Sequence, residues 1–127
     1  MSSTAQELVE DAAAMLRTAA SEPQYRAVCS RAYFGAWHAA HNFHRKLSTP
    51  GSVRGASGRH EQLIQQLCNP MLQVADSNYA LSRAIGRDLI KLREARVTAD
   101  YHLAEDLDHS LAMKSANLAT QIIRKTT

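Results

Sequence analysis

The stretch LREARVTADYHL, residues 92–103, decides the fold, because a helix either ends inside it or runs through it. Upstream of it Leu81, Ile85, Leu89 and Leu92 recur in steps of 4, 4 and 3, and Arg96 follows after 4 more. That is helical periodicity, and it puts a guanidinium on an apolar line. Val97, Thr98 and Asp100 are weak helix residues, whereas Glu105, Asp106 and Asp108 make an acid-rich stretch suited to a first helical turn. The sequence therefore predicts a helix opened by Asp76 or Ser77 that ends between Arg96 and His102. Asp100 then caps a further helix from about Leu103 to Arg124, with Leu107, Leu111, Leu118 and Ile122 facing inward.

The remainder of the chain reads as helical too. A first helix is expected over Thr4–Ala20, opened by a Thr4/Glu7 capping box and carrying Leu8, Ala12, Met15, Leu16 and Ala19 on one stripe. Ser21-Glu22-Pro23 interrupts it. Pro23 suits the first turn of a long second helix reaching Leu47. In that helix Ala32, Gly35, Ala36, Ala39 and Ala40 form a small-residue face for a close neighbour, and Tyr33, Phe34, Trp37 and Phe43 supply aromatic bulk. Gly, Ser and Pro mark Ser48–Gly58 as a loop, the segment best suited to movement. A short helix is expected over Arg59–Cys68, stopped at Asn69-Pro70, with one further turn over Met71–Val74. The fold class is all-α: one domain over residues 1–127, an antiparallel four-helix bundle with one additional short helix.

Composition limits the function. At 127 residues, 45% hydrophobic and 21% charged, the chain can bury a core without disulfides or metals. A net charge of +3 permits an anionic partner but is modest for a protein that coats DNA. Three acids among the first eleven residues argue against a secretory leader, and no apolar run approaches a membrane span. Cys29 and Cys68 lack metal-like spacing and are expected as reduced thiols in a cytoplasmic protein.

Arg96 admits two readings: an internal ion pair with Asp100 or Glu105, or a seat for a bound anion. With the helix ended before it, His102 would stand at the head of the next helix and turn back towards Arg96. A helix N-terminus favours anions, and nearby carboxylates favour imidazolium. Arg83, Arg87 and Lys91 are either an RNA-backbone track or a solvated face. Arg54, Arg59 and His60 flank the Gly-rich loop, where they either close over nucleic acid or ride on a mobile segment. Arg26 and Arg31 suit structural ion pairs. His38, His41 and His44 resemble a metal ladder, but no Glu-x-x-His occurs, and neither a metal nor another cofactor is expected.

Two segments carry a resemblance. RAVCSRAYFGAWHAAH, residues 26–41, resembles the second helix of the small stand-alone HEPN proteins, and LREARVTADYHL resembles their Leu-Arg-x-x-Arg-x-x-Ala-Asp-Tyr segment. GRHEQLIQQL, residues 58–67, is a weaker match between them. The resemblance implies a homodimeric helical bundle, often paired with a nucleotidyltransferase-fold or other antitoxin partner. It also implies metal-independent endoribonuclease activity of a toxin or defence component, in which an Arg and a His a few residues on cleave single-stranded RNA. Here these are Arg96 and His102, with five residues between them and Val97 where a polar residue often follows the Arg. Arg96 would hold the phosphate and its transition-state charge, and His102 would transfer the proton, with Asp100, Tyr101 and Arg93 in support. The alternative is a catalytically silent module of the same type that binds nucleotide or a partner protein.

Overall fold

The computed structural model describes residues 2–127. They form five helices and, among the described residues, no strand: α1 Ala5–Thr18, α2 Glu22–Arg45, α3 Arg59–Cys68, α4 Ser77–Tyr101 and α5 His109–Thr126. None is long and apolar enough to cross a membrane.

The helix starts follow local chemistry. Thr4 Oγ1 accepts from the Glu7 amide and Glu7 returns the bond to the Thr4 amide, the reciprocal box read from the sequence. Pro23 sits in the first turn of α2, and Asp76 caps α4 through the Asn78 amide. Residues 71–74 form no helical turn of their own; the chain turns at Val74 and Ala75 instead, with the Asp76 amide bonded to the Gln73 carbonyl.

α2 lies at the centre of the bundle, against α1, α4 and α5, while α3 packs chiefly on α4. One core cluster joins Val9 and Ala12 of α1, the small face of α2, Leu63 and Leu67 of α3, Ile85, Leu89 and Leu92 of α4, and Ala119 and Ile122 of α5. The small face works as expected: a Cβ on Gly35 would meet Val9 Cγ2 at 2.8 Å, so only glycine allows α1 this close. On α1 the buried pair is Val9 and Ala12, with Leu8, Met15 and Leu16 half-buried beside it. A second cluster gathers Val28 and Cys29 of α2, Ala95 and Ala99 of α4, Leu107, and Ala112 and Ala116 of α5. Burial raises the Cys29 thiol pKa, and both cysteines are free.

The junction after α4 departs from the sequence reading. α4 does not end between Arg96 and His102; it continues to Tyr101, and His102 is its C-cap. Asp100 lies inside α4 and caps nothing. α5 begins at His109, with Asp108 as N-cap through the Leu111 amide, so Glu105 and Asp106 belong to the connection. The cause is remote in sequence. Arg26 of α2, 8% exposed, donates Nη1 to the carbonyls of Thr98, Ala99 and His102 and Nη2 to that of Glu105. The Thr98 and His102 carbonyls also accept from the His102 and Glu105 amides, each at 3.1 Å, so the guanidinium is a second donor to these two and the donor that the Ala99 and Glu105 carbonyls would otherwise lack at the helix end and just past it. Glu22 holds Arg26 Nε at 2.9 Å and accepts from the Leu107 amide at 3.0 Å, which pins the connection from the other side.

That arrangement predicts a pH dependence. The hydrogen bond from Arg26, followed by that from the Leu107 amide, holds the Glu22 carboxyl down at about 2, against 4.5 ordinarily. Its stabilisation is complete above the unfolded value and disappears as pH falls through the folded one, a window from about 4.5 to about 2. Asp106, raised by its hydrogen bond to Glu22, acts in the opposite sense and softens the slope. Thermal unfolding of Glu22→Gln across that window is expected to show a flatter acid limb than the parent chain. Parallel curves would rule the linkage out.

Candidate functional site

Arg96 is half-buried on α4. Its Nε lies 2.9 Å from Asp100 Oδ2, one turn on, and Ser30 of α2 donates to the other Asp100 oxygen. The Arg96 guanidinium carbon sits 5.8 Å from the Tyr33 ring centroid and 5.3 Å from that of Tyr101, within reach of both π faces. The sequence offered an ion pair or an anion seat, and the ion pair with Asp100 forms. It occupies only Nε, and the two terminal nitrogens make no hydrogen bond among the described residues.

An open cavity of about 480 Å³ is lined by Arg96 and Asp100 of α4, Ser30, Tyr33 and Phe34 of α2, and His60 of α3. Clefts that bind small molecules span roughly 300–1,000 Å³. Phe34 is an exposed aromatic, 52% accessible, at its wall. Arg31 at the rim is paired with Asp11 at 2.7 Å, one of the structural ion pairs expected of α2.

The proposed supporting residues divide. Asp100 and Tyr101 both touch Arg96. Arg93 opens on a separate groove between α3 and α4, beside Glu61 and Glu94, although its charge still reaches Tyr33 and His60. His102 does not line the Arg96 cavity. Because α4 is continuous to Tyr101, six residues at about 100° each turn His102 about 120° away from Arg96. It is exposed, its carbonyl is taken by Arg26, and its ring makes no hydrogen bond among the described residues. The convergence of these two side chains across a helix junction, expected from the sequence, does not occur within the chain.

The imidazole that shares the cavity is His60, in the first turn of α3. Its Nδ1 lies 2.7 Å from Tyr33 Oη, and its ring lies 5.5 Å from that of Tyr33 and 5.1 Å from that of Trp37. Burial of this face and the positive charges of Arg96, Arg93 and Arg59 keep its pKa below that of an ordinary histidine. Burial pushes the Tyr33 hydroxyl up to about 12, so it stays protonated. The signal for His60 was present in the sequence: it stands three and seven residues before Leu63 and Leu67, the buried stripe of α3.

The histidines of α2 act separately. His38 packs edge-on against Phe34 and Trp37, His41 stacks on Trp37 at 5.1 Å, and His44 Nε2 accepts from the Gly51 amide at 3.0 Å. Among the described residues no three His, Cys, Asp or Glu side chains gather into a metal-binding group. The Gly-rich loop is tied back by that bond and by Arg54 N to Gln65 Oε1 at 2.7 Å. Arg83, Arg87 and Lys91 lie exposed on α4, and Arg83 rests over the Tyr79 ring. No family model, no curated protein and no solved structure matches the chain.

Proposed function

We propose that the protein is a HEPN-type metal-independent endoribonuclease, a toxin or defence component, that engages a phosphodiester of single-stranded RNA through Arg96. The reading takes the five helices as an antiparallel four-helix bundle of α1, α2, α4 and α5 with α3 as the additional short helix. It also takes the working form as a homodimer, kept in check by a nucleotidyltransferase-fold or other antitoxin partner in the cytoplasm. One observation carries it: a guanidinium paired at Nε with Asp100 and flanked by two tyrosines, on a residue that lines an open cavity, with no hydrogen bond at its two terminal nitrogens among the described residues. That geometry suits bidentate contact with a phosphate. Cleavage by the 2′-hydroxyl requires such a cation for the developing phosphorane charge, together with a group that titrates near neutrality.

A second reading, a catalytically silent nucleotide- or partner-binding module of the same type, is favoured by the position of His102 outside the cavity. The two separate in a single assay. The purified protein is incubated with single-stranded RNA oligonucleotides of mixed sequence in excess EDTA. The nuclease reading expects products ending in a 2′,3′-cyclic phosphate and a 5′-hydroxyl. Intact RNA alongside saturable binding of the oligonucleotides would leave the silent module. His102→Ala in the same assay reports whether the imidazole of the Arg-x5-His spacing takes part.

A further inference from the structure

We infer that His60, held by Tyr33 across the cavity from Arg96, is the catalytic imidazole that takes the proton from the attacking 2′-hydroxyl. The inference rests on the nuclease reading and adds a residue to it.

Three observations converge. His60 is the histidine that lines the same cavity as the Arg96 guanidinium. Its Nδ1 is engaged by Tyr33 Oη at 2.7 Å, while Nε2 makes no hydrogen bond among the described residues. One ring nitrogen is thus used for orientation and the other is left for a ligand, the division of labour that working imidazoles show. The ring is also set sterically, against Tyr33 at an interplanar angle of 30° and Trp37 at 45°, while the residue as a whole remains exposed.

The chemistry uses the tautomer in which Nδ1 carries the proton, one of the two that the Tyr33–His60 contact accommodates. With the Nδ1 proton donated to Tyr33 Oη, Nε2 carries a lone pair and accepts the 2′-hydroxyl proton. The 2′-oxygen forms its bond to phosphorus, the bond from phosphorus to the 5′-oxygen breaks, and the 5′-oxygen takes a proton from solvent. His60 then returns its proton to solvent, so the sum is one RNA strand converted to a 2′,3′-cyclic phosphate and a 5′-hydroxyl. Arg96 binds the non-bridging oxygens throughout. The groups facing His60 are Tyr33 and His38 of α2, Arg59 of α3, and Arg93 and Arg96 of α4. The cations among them favour the neutral, proton-accepting ring, so the acid limb of the cleavage rate should lie below the pKa of an ordinary histidine.

The experiment compares the parent chain with His60→Ala on single-stranded RNA in EDTA, with and without added imidazole, and records circular dichroism for both. The expected result is cleavage by the parent chain, a loss of about 10²–10⁴-fold in the folded variant, and partial restoration by imidazole. Restoration is open to a small base because the His60 site is exposed. Undiminished cleavage by His60→Ala would overturn the assignment and leave the nuclease reading standing. A folded, inactive variant that imidazole does not restore would also overturn it, reducing His60 to a positioning residue. A parent chain that cuts nothing removes the nuclease reading itself, and the assignment with it.

Discussion

Arg26→Met is expected to cost about 3 kcal/mol of stability, which lowers the melting temperature of a domain of this size by about 10 °C. Methionine keeps the unbranched bulk but carries no donor. Four carbonyls on and after the last turn of α4 then lose the guanidinium; those of Thr98 and His102 keep the amide donors of His102 and Glu105, and those of Ala99 and Glu105 are left unpaired. The Ala99 bond is buried, so its acceptor has no access to water, whereas the other three are partly open and recover some hydration. That is why the expected loss is well below four full charged hydrogen bonds, each worth roughly 1.5–3 kcal/mol. Glu22 is left holding the Leu107 amide alone. Arg26→Lys is expected to fall close to the methionine variant, because a compact ammonium cannot span carbonyls that the planar fork reaches with Nη1 and Nη2 together. Differential scanning calorimetry gives the shift, and hydrogen exchange at residues 102–108 should accelerate more than exchange within α1. A melting point within a degree or two of the parent chain would mean that the junction is held by packing of Leu107 and not by Arg26.

Arg26 also explains where sequence reading stopped. The helix starts are written locally: Thr4 with Glu7, Pro23 near the head of α2, Asp76 before α4. Each cap lies within a few residues of what it caps, and each was legible. The end of α4 is fixed by a side chain 72 to 79 positions away. Nothing local to residues 97–108 announces it, and the weak helix residues Val97, Thr98 and Asp100 suggested a break that tertiary contacts override. The Arg96 line misled for a related reason. From Ile85 to Leu92 the buried face of α4 meets α2 and α3, but further along it turns to Ala95 and Ala99, which meet α2, Leu107 and α5. Alanine at 95 and 99 is too small to mark that change in a periodicity argument, so the stripe was carried on to Arg96, which stands at its edge and keeps contact with the cavity.

The site was legible in part for the same reasons. Arg96, Asp100 and Tyr101 lie within five residues of one another on one helix, and their proximity follows from helical geometry alone. His60 and Tyr33 come from two other helices, and their meeting with Arg96 depends on how α3 is laid across α4. The approach is close: a Cβ on Gly86 of α4 would meet Cys68 Sγ at 2.7 Å, and Ser82 Oγ donates to the Leu67 carbonyl at 2.8 Å. Those contacts fix α3 against α4, so that the first turn of α3 presents His60 beside the Arg96 cavity.

A large functional effect is expected at Arg96, and it should be nearly free of structural cost. Arg96→Ala removes one partly exposed ion pair, worth about 0–1 kcal/mol, and Asp100 keeps its bond from Ser30. Far-ultraviolet dichroism and melting temperature should stay close to the parent chain. RNA cleavage, by contrast, should fall by about 10²–10³-fold, the scale of losing one charge-stabilising donor at a phosphorane. Arg96→Lys separates charge from geometry: it keeps the positive charge but presents a point donor where the fork offers two parallel bonds, so it should recover only a minor part of the loss. Binding can be followed apart from turnover. The chain has one tryptophan, Trp37, whose ring lies 5.1 Å from that of His60, and its fluorescence should respond when an uncleavable 2′-deoxy oligonucleotide occupies the cavity. If Arg96→Ala cleaves and binds like the parent chain, the cavity is not where the phosphate sits. If it loses binding while the parent chain never cleaves, Arg96 remains the anion seat of a silent module. A variant that loses activity only because it unfolds would contradict the partly exposed, singly paired environment in which the structure holds this guanidinium.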